Sequence, residues 1–286
     1  LAAGYSLLAP GFLARASHDQ EKFCWYQTSD KKYDGLIYVC ILPVYSKTSS
    51  IISAQPAASS QQPEAKKSEI SLMKLPNIDY SLYLVTDRGL ARGRSTLEIV
   101  TAAINGGATV VQLREKDCST LEYIEQALSI KAFLKTHHIP LIINDRVDVA
   151  QAIQADGVHL GQTDMPLEMA KGILGDTMII GISAESIEDA ITAEKGGADY
   201  LGVSPIYATP TKTDTAPALG LEGLKEIRRA VRLPIVGIGG LNQDNATEVI
   251  RNGADGVAVV SAIVAADNPE IAARELKQVI REARQT

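Results

Sequence analysis

The stretch Asn105-Gly106-Gly107-Ala108-Thr109-Val110-Val111-Gln112-Leu113-Arg114-Glu115-Lys116 runs from a helix end through a strand into a cluster of charge. Glycine accepts the left-handed backbone that ends a helix. The β-branched run after it favours a strand. Side chains alternate along a strand, so Gln112, Arg114 and Lys116 share one face while Leu113 and Glu115 share the other. The joint is reused. Lys195-Gly196-Gly197-Ala198-Asp199 and Asn252-Gly253-Ala254-Asp255-Gly256 end a helix with glycine and enter a strand, and Gln154-Ala155-Asp156-Gly157-Val158 is a weaker copy. One joint used four times means one βα unit repeated.

Working outward, the first strand covers Tyr80 to Thr86 and the opening stretch is the second. Pro140–Ile143, Gly157–Gly161, Met178–Ile182, Tyr200–Val203, Pro234–Ile238 and Gly256–Val260 complete eight strands. Ser95 with Glu98, and Ser119 with Glu122, are capping boxes for helices reaching Asn105 and about Thr136. Further helices are predicted over Val147–Gln154, Ile187–Lys195, Leu221–Val231, Asn245–Arg251 and Pro269–Arg284. Strict alternation of short apolar strands and helices gives a parallel sheet. Eight units in about 210 residues predict a single compact (β/α)8 TIM barrel. An open doubly wound sheet is the alternative, but it does not need eight near-equal units.

Residues 1 to 72 differ from the rest: they hold the only Trp, two of three Phe, half of ten Tyr and none of four Met. Ser46 to Ser71, rich in Ser, Ala, Gln, Lys and Pro, reads as a linker or disordered segment. Leu1 to Ala16 is faintly like a secretory signal but lacks a basic start, and one Arg among four acids does not suit a transit peptide. The reading is an irregular, non-catalytic extension over 1–72 and a catalytic barrel over 73–286, with Met73 as the functional start. A hydrophobic fraction of 45% supports a substantial core. No apolar run approaches the roughly 18–20 residues of a membrane span. A net charge of −6 gives no global attraction to nucleic acid or anionic membrane, so an anion needs a local cationic site. Three cysteines have neither the number nor the spacing of a disulfide framework or zinc site, which fits a reduced, cytoplasmic setting. A homo-oligomer is left open.

In a barrel the C-terminal strand ends and following loops form the active site. They carry Gln112, Arg114 and Lys116, then Asn144 and Asp145, Gly161 to Asp164, Ser183, Thr209 to Lys212, Gly239-Gly240 and Val260-Ser261. Asp145 and Asp164 follow neighbouring strands, whose axes lie about 4.8 Å apart. Each alone suits a helix cap or loop. As a pair beside Arg114, Lys116 and Lys212, they favour Mg²⁺, which binds hard oxygens through one or two carboxylates plus substrate phosphates. Gly239-Gly240 and Val260-Ser261 describe a second anion site at the seventh and eighth loops. The bland reading there is a tight turn. Two anion sites in one mouth imply two phosphorylated small-molecule substrates. His159, between apolar neighbours in a strand, reads as a packed core histidine. His137-His138 closes a helix, where a cation suits the dipole. Cys118 has no adjacent base. Lys212 suits a phosphate contact better than a Schiff base.

Taken together, Gln112 to Lys116, Asn144-Asp145, His159 to Gln162 with Asp164, Gly181 to Ser183, Thr209 to Lys212, Gly239-Gly240 and Val260-Ser261 resemble the thiamin phosphate synthase family. The resemblance runs in order from about Tyr80 to the end. It implies a (β/α)8 barrel that joins hydroxymethylpyrimidine pyrophosphate to thiazole phosphate, releasing pyrophosphate. By motif, Gln112, Leu113, Arg114, Glu115, Lys116, Asn144, Ser183 and Lys212 would hold the pyrimidine pyrophosphate. Of these, Arg114, Lys116, Ser183 and Lys212 would act in catalysis. Asp145 and Asp164 would bind Mg²⁺, and Thr209, Pro210, Thr211, Gly240, Val260 and Ser261 would hold the thiazole phosphate. A thiazole tautomerase of the same pathway has no need for the two carboxylates and the pyrophosphate cations. A non-catalytic sensor of thiamin phosphate is the rival from another class.

Overall fold

The computed structural model describes residues 78–208 and 218–285, with the backbone of three short strands nearer the start. The chain divides into two units, Leu1–Ser68 and Glu69–Thr286. In the first, β1 (Phe12–Ala16), β2 (Cys24–Thr28) and β3 (Tyr38–Cys40) form an antiparallel sheet in that order. The extension expected to be irregular therefore carries a small sheet. The linker over Ser46–Ser71 lies outside the described residues.

In the second unit, β4 (Leu82–Val85), β5 (Val110–Leu113), β6 (Leu141–Asn144), β7 (Gly157–Leu160), β8 (Ile179–Ala184), β9 (Tyr200–Val203), β10 (Ile235–Ile238) and β11 (Gly256–Val259) follow one another around a closed barrel. Each neighbouring pair is parallel, and β11 closes onto β4. The helices are α1 (Thr96–Asn105), α2 (Thr120–His137), α3 (Val147–Ile153), α4 (Leu167–Leu174), α5 (Ile187–Gly196), α6 (Gly220–Ala230), α7 (Ala246–Arg251), α8 (Ser261–Val264) and α9 (Pro269–Ala283). This is the repeated βα ring that the joints predict, not an open sheet. Both capping boxes form in full. No described helix is long and apolar enough to cross a membrane.

Two local differences have physical causes. Helix α4, absent from the sequence reading, starts behind Pro166 with no side-chain cap and holds Gly172, so it carries neither start signal nor uniform propensity. Strand β5 stops at Leu113, leaving Arg114 to Lys116 in the loop beyond.

Alternation divides the core in two. Outward side chains such as Leu82, Val111, Leu141 and Leu201 pack against the helices. Inward ones, among them Tyr83, Val110, Ile142, Tyr200 and Ala258, fill the barrel.

The repeated Ala-Asp joint pins register. The carboxylate of Asp156 accepts the Leu141 N–H at 2.8 Å, Asp199 accepts Ile180 at 2.7 Å and Asp255 accepts Ile235 at 2.8 Å. Thr109 does the same for Leu82 at 3.1 Å. Each of these residues also donates its own N–H back to the carbonyl of the residue it holds. The backbone N–H at the start of each of these strands is thereby satisfied by the residue that opens the next. Asp156→Ala is expected to cost about 1–2 kcal/mol by orphaning the Leu141 N–H; an unshifted denaturation midpoint would refute the pinning role.

Candidate active site

Inward alternation brings one polar side chain after another to the C-terminal rim. A cavity of about 390 Å³ opens there, lined by Gln112, Arg114, Lys116, Asn144, Asp145, Gln162, Asp164 and Ser183 on one side and by Gly239, Gly240, Val260 and Ser261 on another. Residues from six separate strand ends thus meet in one mouth. Leu113 and Glu115 do not line it: Leu113 is fully buried among the helices, and Glu115 turns back to pair with Arg88 at 3.3 Å. Alternation along the chain separates them from Gln112, Arg114 and Lys116 even where the strand has ended. Thr209, Pro210, Thr211 and Lys212 lie outside the described residues.

Asp145 and Asp164 come together. Asp145 sits in the left-handed region at φ 61°, which Asp tolerates better than most residues, and its N–H donates to the His159 carbonyl at 2.9 Å. Asp164 is held by the Gly161 N–H at 2.7 Å. Burial pushes the Asp145 carboxyl up to about 6; its contact with the Asp164 carboxylate adds to this, while Lys116 and the Asn144 side chain oppose it. Two carboxylates that resist ionising together call for a cation or a shared proton. Among the described residues no group of three His, Cys, Asp or Glu side chains is placed to hold a metal alone. The donor set is therefore two carboxylates, hard oxygen ligands that fit an ion taking its other ligands from water and phosphate.

Arg114 reaches the mouth held from behind. Its guanidinium donates to Asp87 at 2.9 Å, with both side chains 19% exposed, and its N–H donates to Thr86 Oγ1 at 3.0 Å. Asp87 is itself fixed, because its other oxygen accepts the Leu90 N–H at 3.2 Å and caps a 3-10 turn over Arg88–Leu90. The adjacent pair Arg88–Glu115 has the opposite polarity, so two crossed ion pairs join the loops after β4 and β5. Sequence reasoning missed Asp87; its place one residue past a strand-end Thr was the available signal. Asp87→Ala is expected to lower turnover about tenfold by loosening Arg114, since orientation carries much of such a group's effect. Unchanged turnover would remove Asp87 from the site.

On the far side, Gly239 (φ 103°) and Gly240 (φ 66°) make a turn only glycine accepts readily. A side chain at Gly240 would also meet the Ala208 carbonyl at 2.9 Å. Asn245 Nδ2 holds the Gly240 carbonyl at 2.9 Å, so the turn's polar edge is fixed from outside. Behind Ser261, the carbonyls of Val264 and Ala266 accept the two arms of the Arg94 guanidinium, each at 2.9 Å. The loop after β4 thereby anchors the short α8.

The packed-core reading of His159 needs correction. Its imidazole points into the mouth, with Nδ1 at 2.9 Å from the Tyr200 hydroxyl and Nε2 at 3.0 Å from Ser183 Oγ. The apolar neighbours Val158 and Leu160 that prompted that reading face the helices. Tyr200 and Tyr83, inside the barrel, extend the chain of polar contacts at 2.8 Å, and Gln112 Nε2 donates to Tyr83 at 3.0 Å.

A closed parallel barrel with fixed cations, paired carboxylates and a glycine turn around one cavity defines a barrel enzyme for anionic small molecules. Comparison with known proteins narrows the class. The family model described as thiamine monophosphate synthase matches residues 82–263. The thiamine-phosphate synthase of Chloroflexus aurantiacus is 54% identical over 203 residues, covering 71% of this chain and 94% of the relative. That of Clostridium acetobutylicum is 52% identical over 207 residues, covering 72% and 98%. The solved thiamine phosphate pyrophosphorylase of Pyrococcus furiosus superposes with a TM-score of 0.67 at 42% identity, covering 72% of this chain and 98% of that one. The chain belongs to the thiamine monophosphate synthase family and is an enzyme, a transferase.

Proposed function

We propose that the protein condenses hydroxymethylpyrimidine pyrophosphate with thiazole phosphate, giving thiamin phosphate and pyrophosphate, in a Mg²⁺-dependent reaction. The observation that carries this reading is the meeting of Arg114 and Lys116 with Asp145 and Asp164 at one cavity. A phosphate monoester alone does not call for such a set.

The C–O bond between the pyrimidine methylene and the pyrophosphate breaks, and its electron pair leaves with the pyrophosphate. The electron-rich aminopyrimidine stabilises the carbon cation left behind. The thiazole nitrogen then supplies the pair for the new C–N bond. No protein nucleophile is required. Arg114, Lys116 and Lys212 stabilise the growing charge on the leaving group. Gln112, Asn144 and Ser183 orient the pyrimidine pyrophosphate by hydrogen bonds, and Gly240, Val260, Ser261 and Thr209 to Thr211 hold the thiazole phosphate, with Pro210 shaping that loop. Confinement in one mouth supplies proximity. Asp145 and Asp164 would hold Mg²⁺, which when bound adds charge neutralisation at the phosphate oxygens. Residues 1–72 take no part, and the reaction belongs to the cytoplasm.

Incubating the protein with both substrates and Mg²⁺ should release pyrophosphate and thiamin phosphate in equal amounts. Omitting either substrate, or chelating the metal, should stop product formation. Conversion of the thiazole phosphate to an isomer without pyrimidine would indicate a tautomerase. Tight binding of thiamin phosphate without turnover would indicate a sensor. Removing residues 1–72 should leave turnover intact; its loss would assign the extension a catalytic part.

A further inference from the structure

Five side chains from five strands form one continuous hydrogen-bonded chain through the barrel: Gln112 on β5, Tyr83 on β4, Tyr200 on β9, His159 on β7 and Ser183 on β8. The links are 3.0, 2.8, 2.9 and 3.0 Å in that order. Strands β4 and β9, which carry the two tyrosines, are not neighbours, so the chain crosses the interior instead of following the wall. The interior is shaped for it. A Cβ at Gly181 would lie 2.1 Å from Tyr200 Cζ, and one at Gly202 would lie 2.8 Å from His159 Cε1. Two inward positions are thus empty of side chain because two rings occupy their space.

A hydroxyl has one proton to give and can accept more than one, so direction is set by which acceptor each proton can reach: Tyr200 for Tyr83, once Gln112 donates to it, and then His159 for Tyr200. The Gln112 amide nitrogen only donates, and it faces the Tyr83 oxygen. Tyr83 then passes its proton toward Tyr200, and Tyr200 passes its own toward His159 Nδ1. A neutral imidazole that accepts at Nδ1 carries its proton on Nε2. That Nε2–H donates to Ser183 Oγ, leaving the Ser183 proton free for another acceptor.

We propose that Tyr83 and Tyr200 are positioning residues: through His159 they polarise the chain so that Ser183 presents its hydroxyl proton, not a lone pair, to the leaving pyrophosphate. Neither tyrosine needs to touch the pyrophosphate. The chain fixes a donor in advance of the charge it meets, which is the condition under which a hydrogen bond favours the transition state over the ground state. With the opposite polarity, Ser183 would donate back to His159 and face an anion with its lone pairs. The proposal rests on the reading of Ser183 as a pyrophosphate contact, given above.

Two measurements test it, and the first needs no variant and no turnover. In the full-length protein with 15N-labelled histidine, the His159 signals, assigned by their loss in His159→Asn, should show Nε2 protonated and Nδ1 bare. A proton on Nδ1 would overturn the proposal, whatever reaction the enzyme performs. The second compares Tyr200→Phe with wild type, which must itself release pyrophosphate for the reading of the reaction to stand. Tyr200→Phe keeps the ring and removes the link. It should lower kcat about tenfold, as loss of an outer partner of a working group commonly does, with KM moved less than about threefold. Its labelled spectrum should show the His159 proton shared between both nitrogens. A folded variant with wild-type kcat and an unchanged His159 spectrum would overturn the proposal. If Tyr200→Phe does not fold, Gln112→Met gives the second readout: a thioether cannot donate to Tyr83, so the His159 proton should be shared between Nδ1 and Nε2, and retention on Nε2 alone would count against the relay.

Discussion

Arg114→Ala is expected to lower turnover about a hundredfold while leaving the fold nearly as stable as before. A single fixed donor to a developing anion is worth on the order of 3 kcal/mol in the barrier. The stability side is small by comparison. Among the described residues Arg114 makes one ion pair, to Asp87, and both partners are partly exposed, so its loss costs about 1 kcal/mol or less. Asp87 keeps its contact with the Leu90 N–H after the change. Steady-state kinetics and a thermal melt on the same preparation separate the two effects. Turnover within a factor of two of wild type would remove Arg114 from the reaction, and a collapsed melt would make it structural.

Asp145→Asn is expected to abolish most activity and yet stabilise the metal-free protein at neutral pH. The folded state raises the Asp145 carboxyl from 3.8 to about 6, mainly by burial and by the facing Asp164. The folded protein thus holds that proton more tightly than the unfolded chain does. The resulting stability is fully present below about pH 4, declines as pH rises through about 6, and is absent above it. Linkage alone puts the full difference at about 3 kcal/mol, and solvent at the mouth screens it to on the order of 1 kcal/mol. Asparagine keeps the shape and removes the charge that opposes Asp164. Above pH 7 the variant should therefore melt higher than metal-free wild type, while below pH 4 the two should converge. A divalent cation should raise wild type and leave the variant unmoved. A variant that melts lower at every pH would contradict the strained-pair account.

The barrel was legible because its signals are local. Ser95 with Glu98 and Ser119 with Glu122 declare two helix starts, and the Gly-Ala-Asp joints declare where strands enter. The structure gives those aspartates a further meaning, as pins on the preceding strand, that needs the closed sheet to be seen. Strand-end reading gathered Gln112, Arg114, Lys116, Asn144, Asp145, Asp164 and Ser183 into one rim because alternation and chain order suffice for that. Leu113 and Glu115, which the family motif adds to that set, lie on the other face and do not line the cavity. His159 was hidden by the same alternation: apolar residues flank it in sequence, but they face the opposite way. Tyr83 and Tyr200 carry no such signal, since an aromatic ring in a strand gives no sign of what its hydroxyl meets. Helix α4 had no cap to announce it.

If this rim draws a diphosphate off carbon, C–O breaks and P–O stays intact. Placing ¹⁸O at the oxygen that bridges the pyrimidine methylene and the first phosphorus tests it in one turnover. All of the label should appear in the released pyrophosphate, with none in any pyrimidine product. Label retained on a hydroxymethylpyrimidine product would mean that the cations and carboxylates serve attack at phosphorus, and the account would be wrong.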